Sequence, residues 1–553
     1  MSTPTPTFPD HLHGSNKRID FLSELPLGVV MYNLVPRILG EHPTPFLFDI
    51  PNNYLDVCRT WCQRILMASG SMRFSIRSTF LISKCQELLD AAGPYVKRLD
   101  IAPISGISIN QLADTVKFFS VSELTITITG SQRAYHHFFS TLPNLTYLKI
   151  TYNKQAYEPF QVYDILDQCT KLTRLDLSLG ANTTMAIRSD NQQPMYHNLV
   201  HLQVIRKERC SNDMFIPLLR HLPNLRILLL SYPPSETAIH AIHQHCPELQ
   251  QLILSDRHAR AVTDIVQQQK QRGLRVLRIQ HESFGGDYIA KLITQYHSTL
   301  ESIVLYSAIP VPFNIDRDRD TFELKQLRSF QFQTYGSPDY VPFIDWVIDH
   351  APNLESAKLL LPRTQHIPYL RTLMHRPLRR IELTSEYRFY QPDLSLQPNH
   401  SQYLQHHIQL GNKSHLKEIK CCIRSDIPDD SWMNLIPRLN HLRSLVLDFQ
   451  YSIRNVDNLN TFMTELSCGC AALETITMIS RLFDSDAWIH PLTLHRSLRK
   501  LVIQSSKLSD DMLIALEDFH YLDGLHLKLK KLDWNSIART RRRVPHLKCT
   551  QLR

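Results

Sequence analysis

The chain has 553 residues, 43% hydrophobic and 20% charged, the composition of a folded protein with material for an extended core. No run of about 18 uninterrupted apolar residues occurs, which argues against a membrane-spanning helix. The formal net charge of +9 is spread over the whole length, so nucleic acid is not an expected partner: surfaces that bind it concentrate their basic residues.

In chain order, residues 1–20 (MSTPTPTFPDHLHGSNKRID) are polar and Pro/Thr-rich. They lack the apolar stretch of a secretory signal and read as a disordered tail. Residues 21–70 read as a small helical module, built from LPLGVVMYNLVPRIL (Leu25 to Leu39) and DIPNNYLDVCRTWCQRIL (Asp49 to Leu66). The dipeptide Leu25-Pro26, the turn Asp49-Ile50 and the run Val57-Cys58-Arg59-Thr60-Trp61 resemble a degenerate F-box. That family opens on Leu-Pro and closes on an Asp-Leu turn and a Val-Cys-x-x-Trp helix. There are departures from the pattern: Gly28 stands at the usual acidic position, and GEHPTPFLF (Gly40 to Phe48) lengthens the connection. Pro36 interrupts the first helix, at about 3 kcal/mol if interior. The resemblance implies docking onto a Skp-type adaptor, and through it a cullin scaffold, with Leu25, Pro26, Val29, Val57, Cys58 and Trp61 as the adaptor-binding positions. The same helices also suit a plain cap for the first repeat, with Val57, Trp61 and Leu66 turned inward. Residues 71–95, with apolar Ile76, Phe80, Leu81, Leu88 and Leu89, are expected to form a helical bridge.

From residue 96 to 553 one phrase recurs: apolar, two free positions, apolar, one free position, apolar. LTYLKI at Leu145, LTRLDL at Leu172, LRILLL at Leu225, LQQLIL at Leu249 and LRVLRI at Leu274 are plain copies, as are LRSLVL at Leu442 and LRKLVI at Leu498. Weaker copies begin at Val96, Val121, Leu199, Leu300, Leu327, Leu354, Leu378, Leu416, Leu473, Leu522 and Leu547, making eighteen phrases. Most starts are 24 to 27 residues apart (225 to 249 is 24, 145 to 172 is 27), while 378 to 416 is 38 and 442 to 473 is 31. This period is that of leucine-rich repeats. Alternation at the end of the phrase is strand-like. Between phrases, stretches such as Asp213 to Leu222 and Asp287 to His297 carry apolar residues at helical spacing. The expected fold is therefore α/β: a leucine-rich-repeat solenoid of short parallel strands with outer helices, a horseshoe, preceded by the small helical module. Stacked units share a core that none could build alone.

The lead-ins to the phrases are LPNL at Leu142 and Leu222, APNL at Ala351, CPEL at Cys246, CTKL at Cys169 and CAAL at Cys470. Proline stops the preceding helix, and the cysteine or leucine is expected to fill a small core pocket. These lead-ins resemble the cysteine-containing repeat subtype of F-box substrate receptors. Together with the N-terminal module, the resemblance implies the substrate-recognition subunit of a Skp–cullin–F-box-type ubiquitin ligase, with no catalysis of its own. A non-ligase repeat scaffold or regulator is the alternative.

No phosphate-cradling loop, dinucleotide fingerprint, zinc-protease pair or nucleophile elbow occurs, and no cofactor is expected. His240, His243, His245 and Cys246 are the densest metal-like set, but Cys246 already serves as a lead-in and no second ligand cluster follows, so no metal is expected. His136-His137 and His406-His407 are expected at the surface. The eleven cysteines are expected as reduced thiols of a cytoplasmic and/or nuclear protein. Arg539, Arg541, Arg542 and Arg543 read as a solvated helix face before the last repeat.

In a stacked array the free positions of each phrase line the concave face. Most central free positions are polar. Two stretches are not, Ile227/Leu229/Ile253 and Val446/Thr477/Val502 with Ile479, and an exposed apolar patch there would bind the target protein. The insertions near Asp316–Thr321 and Ser385–Asn412 are candidate recognition loops. No membrane partner is expected.

Overall fold

Each apolar phrase becomes a strand. In the computed structural model the strand begins two residues after its phrase, at Arg98 for the phrase at Val96 and at Lys500 for that at Leu498; only the closing phrase at Leu547 starts its strand at once. The structure describes Leu25, Val29, residues 71–74 and, between 96 and 551, the strands, the helices and the short turns. The longer stretches outside the described residues are the rest of 1–95 and 153–158, 184–193, 207–214, 256–272, 308–321, 335–340, 361–368, 385–399, 424–431 and 450–455.

The chain divides into two compact units, Met1–Leu172 and Thr173–Arg553. In the first, β1 (Ser71–Phe74), β2 (Arg98–Ile104), β3 (Glu123–Ile128) and β4 (Tyr147–Tyr152) pair in chain order, all parallel. The second opens with β5 (Arg174–Leu179), β6 (His201–Arg206), β7 (Ile227–Leu230), β8 (Gln251–Ser255) and β9 (Val276–Gln280). It continues with β10 (Ser302–Ser307), β11 (Ser329–Thr334), β12 (Ser356–Leu360), β13 (Arg380–Thr384) and β14 (Glu418–Ile423). It ends with β15 (Ser444–Phe449), β16 (Thr475–Ser480), β17 (Lys500–Ser505), β18 (Gly524–Leu529) and β19 (Leu547–Gln551). Each of these strands is parallel to the next one in sequence. This is a leucine-rich-repeat solenoid, and its architecture follows from the phrase.

The second apolar position forms a continuous buried row, running Leu202, Leu228, Leu252 and Leu277 across four neighbouring strands and Leu445, Ile476, Leu501 and Leu525 across four more. Short parallel strands need a covering layer, and the segments between phrases supply it. The expected helix over Asp213 to Leu222 shortens to a single turn, Ile216–Leu219, while that over Asp287 to His297 forms as Gly286–Gln295. The two longer gaps hold longer helices, His400–Leu410 in one and Val456–Gly469 in the other. Among the described residues no helix is long and apolar enough to cross a membrane.

Backbone bonds stitch neighbouring turns together: the amides of Arg226 and Ile227 both donate to the Val200 carbonyl, at 2.8 and 3.0 Å. The Pro-Asn lead-ins add a side-chain bond across the same joint. The Nδ2 groups of Asn144, Asn224 and Asn353 donate to the carbonyls of Phe119, His197 and Lys325, at 2.8, 2.9 and 3.0 Å. The lead-in cysteines fill core pockets as expected. Cys169, Cys246 and Cys470 are buried, and the Cys470 thiol donates to the Ile436 carbonyl at 3.2 Å. Burial pushes all three thiols up to about 12, so they are unreactive. The seven described cysteines are thiols, none of them in a disulfide.

Beside Cys470, the helix Val456–Gly469 ends against the turn Met433–Arg438. A Cβ placed on Gly469 would stand 2.1 Å from the Pro437 carbonyl oxygen. Gly469→Ala is therefore expected to force these segments apart and cost about 1–3 kcal/mol, read as a lower urea midpoint of the full chain with an unchanged far-UV spectrum.

Three expectations are corrected. Residues 71–74, placed in a helical bridge, are strand β1, with Ser71 to Phe74 opposite Arg98 to Ile101. It is a nineteenth copy of the phrase with Ser69 at the first apolar position, Met72 and Phe74 keeping the other two. Part of the insertion near Ser385–Asn412 is the repeat's own helix, whose His400, Tyr403, Leu404 and His407 are buried. His407, expected at the surface, has its Nδ1 2.9 Å from Ser414 Oγ and packs edge-on to Tyr403. The insertion near Asp316–Thr321 lies outside the described residues.

Candidate binding face

The strand side chains that point away from the core form an open face, and in Thr173–Arg553 its rows can be read strand by strand. The central row runs Asp176, Gln203, Leu229, Ile253, Arg278, Val304, Gln331, Lys358, Glu382, Lys420, Val446, Thr477, Val502, His526 and Lys548. Its character changes along the sheet.

At the start, Arg174 holds Asp176 with an Nη2–Oδ2 distance of 2.8 Å, and His201 Nε2 lies 3.9 Å from the same carboxylate. Burial and the Arg174 cation push His201 down to about 4 despite Asp176. The next segment is apolar, and here the expected patch is corrected. Leu229 and Ile253 are 0% exposed and Ile227 is 8% exposed; Leu229 and Ile253 pack together with Ile205 against them. Every residue of β7 and β8 is buried, the signature of strands covered on both sides, and ILLL and QLILS carry the near-continuous apolar run that such strands need. These positions are core.

In the middle the row alternates in sign. Lys358 Nζ lies 3.1 Å from Glu382 Oε2, and Lys420 Nζ lies 3.3 Å from both Glu382 Oε1 and Asp448 Oδ2. The Cys422 thiol, one row over, donates to Glu382 Oε1 at 3.0 Å. Burial alone would raise the Glu382 carboxyl, but the Cys422 bond and the two ammonium groups outweigh it and hold it below its ordinary value. Burial and the neighbouring Glu382 push the Cys422 thiol up to about 12, so it acts as a hydrogen-bond donor and not as a nucleophile. This network was legible only as three successive central positions, Lys358, Glu382 and Lys420, read across phrases.

Beyond it, Val446, Thr477 and Ile479 are half-buried, while Val502 is 8% exposed. The second expected patch is thus partly open to solvent, and parallel pairing places Val446, Thr477 and Val502 on adjacent strands.

Of the positions expected to meet an adaptor, Leu25 is half-buried and Val29 is an exposed helical residue. Pro26, Val57, Cys58 and Trp61 lie outside the described residues. The arginines Arg539, Arg541, Arg542 and Arg543 are exposed on the helix Trp534–Arg543, as expected, where cations near a helix C-terminus are favoured. The His243 ring packs at a tilt against Tyr296, 4.7 Å between centroids, and the Cys246 thiol faces the Leu219 carbonyl. Among the described residues no three His, Cys, Asp or Glu side chains gather as metal ligands would.

Fold and face together define a repeat scaffold, a class that presents a long sheet surface to other macromolecules. No family model matches the sequence, and no curated protein matches it. Among solved structures, a chain of the Toll–Spatzle complex of Drosophila is similar at 12% identity and a TM-score of 0.30. The match covers 83% of this chain and 63% of that one, so the chain spans less than two thirds of its structural relative.

Proposed function

We propose that this chain is the substrate-recognition subunit of a Skp–cullin–F-box-type ubiquitin ligase. The repeats hold a target protein on the open sheet face, and the N-terminal module joins a Skp-type adaptor. The observation that carries the binding half is the half-buried apolar group Val446, Thr477 and Ile479 on that face. The docking half rests on the sequence pattern Leu25-Pro26 and Val57-Cys58-Arg59-Thr60-Trp61. Ubiquitin transfer falls to other subunits, so the chain needs no catalytic residue.

A second reading is favoured by β1. Because Ser71–Phe74 already extends the sheet beyond β2, the residues before it are in sequence position to cap the first strand. The chain would then be a scaffold or regulator without an adaptor.

Co-expression of the full chain with a Skp-type adaptor separates the two. The expected result is a stable complex from which Pro26→Ala/Trp61→Ala removes the adaptor while the far-UV spectrum stays unchanged. A folded full chain that recovers no adaptor overturns the ligase reading in favour of the cap. Target capture is expected to fall at least about tenfold for Thr477→Arg.

A further inference from the structure

The charge on the open face changes at the C-terminal end of the sheet. In β12 to β15 each lysine of the central row is neutralised, Lys358 by Glu382 and Lys420 by Glu382 and Asp448. On the strands from β17 onward three lysines of the open face stand apart from carboxylates among the described residues. Lys500 and Lys548 are exposed and Lys528 is half-buried, and among the described residues none of the three has an ion-pair partner. The nearby acids that form pairs do so elsewhere, Glu474 with Arg443 and Glu517 with Arg543.

Lys500 lies on the strand next to Thr477, Lys528 two strands from Ile479 and Lys548 three strands from Thr477. One cross-strand row reads Thr477, Val502, His526, Lys548, and the next reads Ile479, Gln504, Lys528, Thr550. Neighbours in a row are one strand spacing apart, about 4.8 Å. Arg481, exposed immediately after β16, adds a further cation at the C-terminal edge of the same strands. An exposed lysine is ordinary by itself. What is not ordinary is that the face passes from paired to unpaired cations within six strands, with a half-buried apolar group at the transition.

We propose that the open face of β15 to β19 docks an acidic protein segment that interleaves carboxylates with apolar side chains. This rests on the reading that the repeats hold a target protein, and it names the chemistry of that target's docking segment. The apolar side chains cover Val446, Thr477 and Ile479, and the carboxylates meet Lys500, Lys528 and Lys548. Complementary charge of this kind sets partner choice and encounter rate more than raw affinity. Nucleic acid fits less well: its backbone offers no apolar group for Val446 and Ile479, and these cations flank an apolar stripe instead of forming a basic one.

The test uses the full chain and a labelled peptide of about 14 residues alternating Glu and Leu. Its comparators are the same peptide with Ser for Leu, the same with Lys for Glu, and a single-stranded oligodeoxynucleotide of equal length. Fluorescence anisotropy is expected to show the Glu/Leu peptide bound most tightly, weakening as salt rises. Lys528→Glu/Lys548→Glu is expected to weaken it at least about tenfold, and Lys528→Arg/Lys548→Arg to retain it. Absence of Glu/Leu binding, or equal binding by the charge-reversed variant with an unchanged far-UV spectrum, overturns the proposal. Tighter binding of the oligonucleotide, lost on the same reversal, overturns it in favour of nucleic acid. If the peptide fails while Thr477→Arg still abolishes target capture, the acidic specificity falls and the target-binding role stands. If both fail, both readings fall.

Discussion

Leu229→Asp is expected to unfold the chain around β7, because Leu229 lies in the core although it occupies the outward position of its strand. Leu229→Ala is expected to cost about 3 kcal/mol, the loss of a fully buried side chain plus the cavity it leaves. The aspartate adds an unpaired carboxyl in an apolar cluster with Ile253 and Ile205, for a total above about 4 kcal/mol. Val446→Asp, at a half-buried position on the same face, is expected to stay within about 1 kcal/mol of the parent. Urea denaturation of the three variants followed by circular dichroism decides the matter. A well-folded, fully stable Leu229→Asp chain would return this site to the surface and reopen it as a binding patch.

The second large effect is acid sensitivity. Burial pushes His201, His400 and His407 down to about 4, from an ordinary value of 6.5. At His201 the Arg174 cation works in the same direction, and at His407 so do His406, His441 and His415. The His400 ring packs against Trp432 at a tilt, 4.9 Å between centroids, its Nδ1 buried without a partner among the described residues. The sign follows directly. These rings are neutral in the fold and protonate more readily in the unfolded chain, so the stability they contribute is complete above pH 6.5 and drains away between 6.5 and 4. At pH 5 each is expected to have withdrawn about 2 kcal/mol, and three acting together give a slope of roughly 4 kcal/mol per pH unit. Glu382, held below its ordinary value, adds a loss of the same sign at lower pH. The thermal midpoint of the full chain should therefore fall steeply from pH 6.5 to 5, and His400→Phe should flatten that fall. A midpoint independent of pH over this range would show that the rings are solvated.

The strands were legible because each phrase states its own period, and the buried rows followed from alternation. β1 escaped notice because Ser69 replaces the apolar residue that opens the phrase, leaving Met72 and Phe74 with too little signal. The helix His400–Leu410 escaped because HSQYLQHHIQL hides its buried face behind histidine, glutamine and tyrosine. Leu229 and Ile253 were misplaced by a rule sound elsewhere in the sheet. Alternation assigns the central position to solvent, whereas the uninterrupted run ILLL marks a strand covered on both sides. The ion-pair network needed register as well as sequence, since Glu382 and Lys420 stand 38 residues apart and meet because β13 and β14 align them.

Within each unit, neighbours in the sheet are also neighbours in the chain, and this bears on how the protein is made. Each new strand can pair with the one before it as soon as some 25 residues have emerged. The completed repeats then serve as template for the next, and no strand waits for a distant partner. Even the widest step, the 38 residues between Glu382 and Lys420, raises the entropy of closure by only about 0.4 kcal/mol over a typical repeat. Within each unit a ribosome-bound fragment should thus be able to zip from its N-terminal side at a nearly constant pace, the growing edge of the sheet being a surface left open to misassembly.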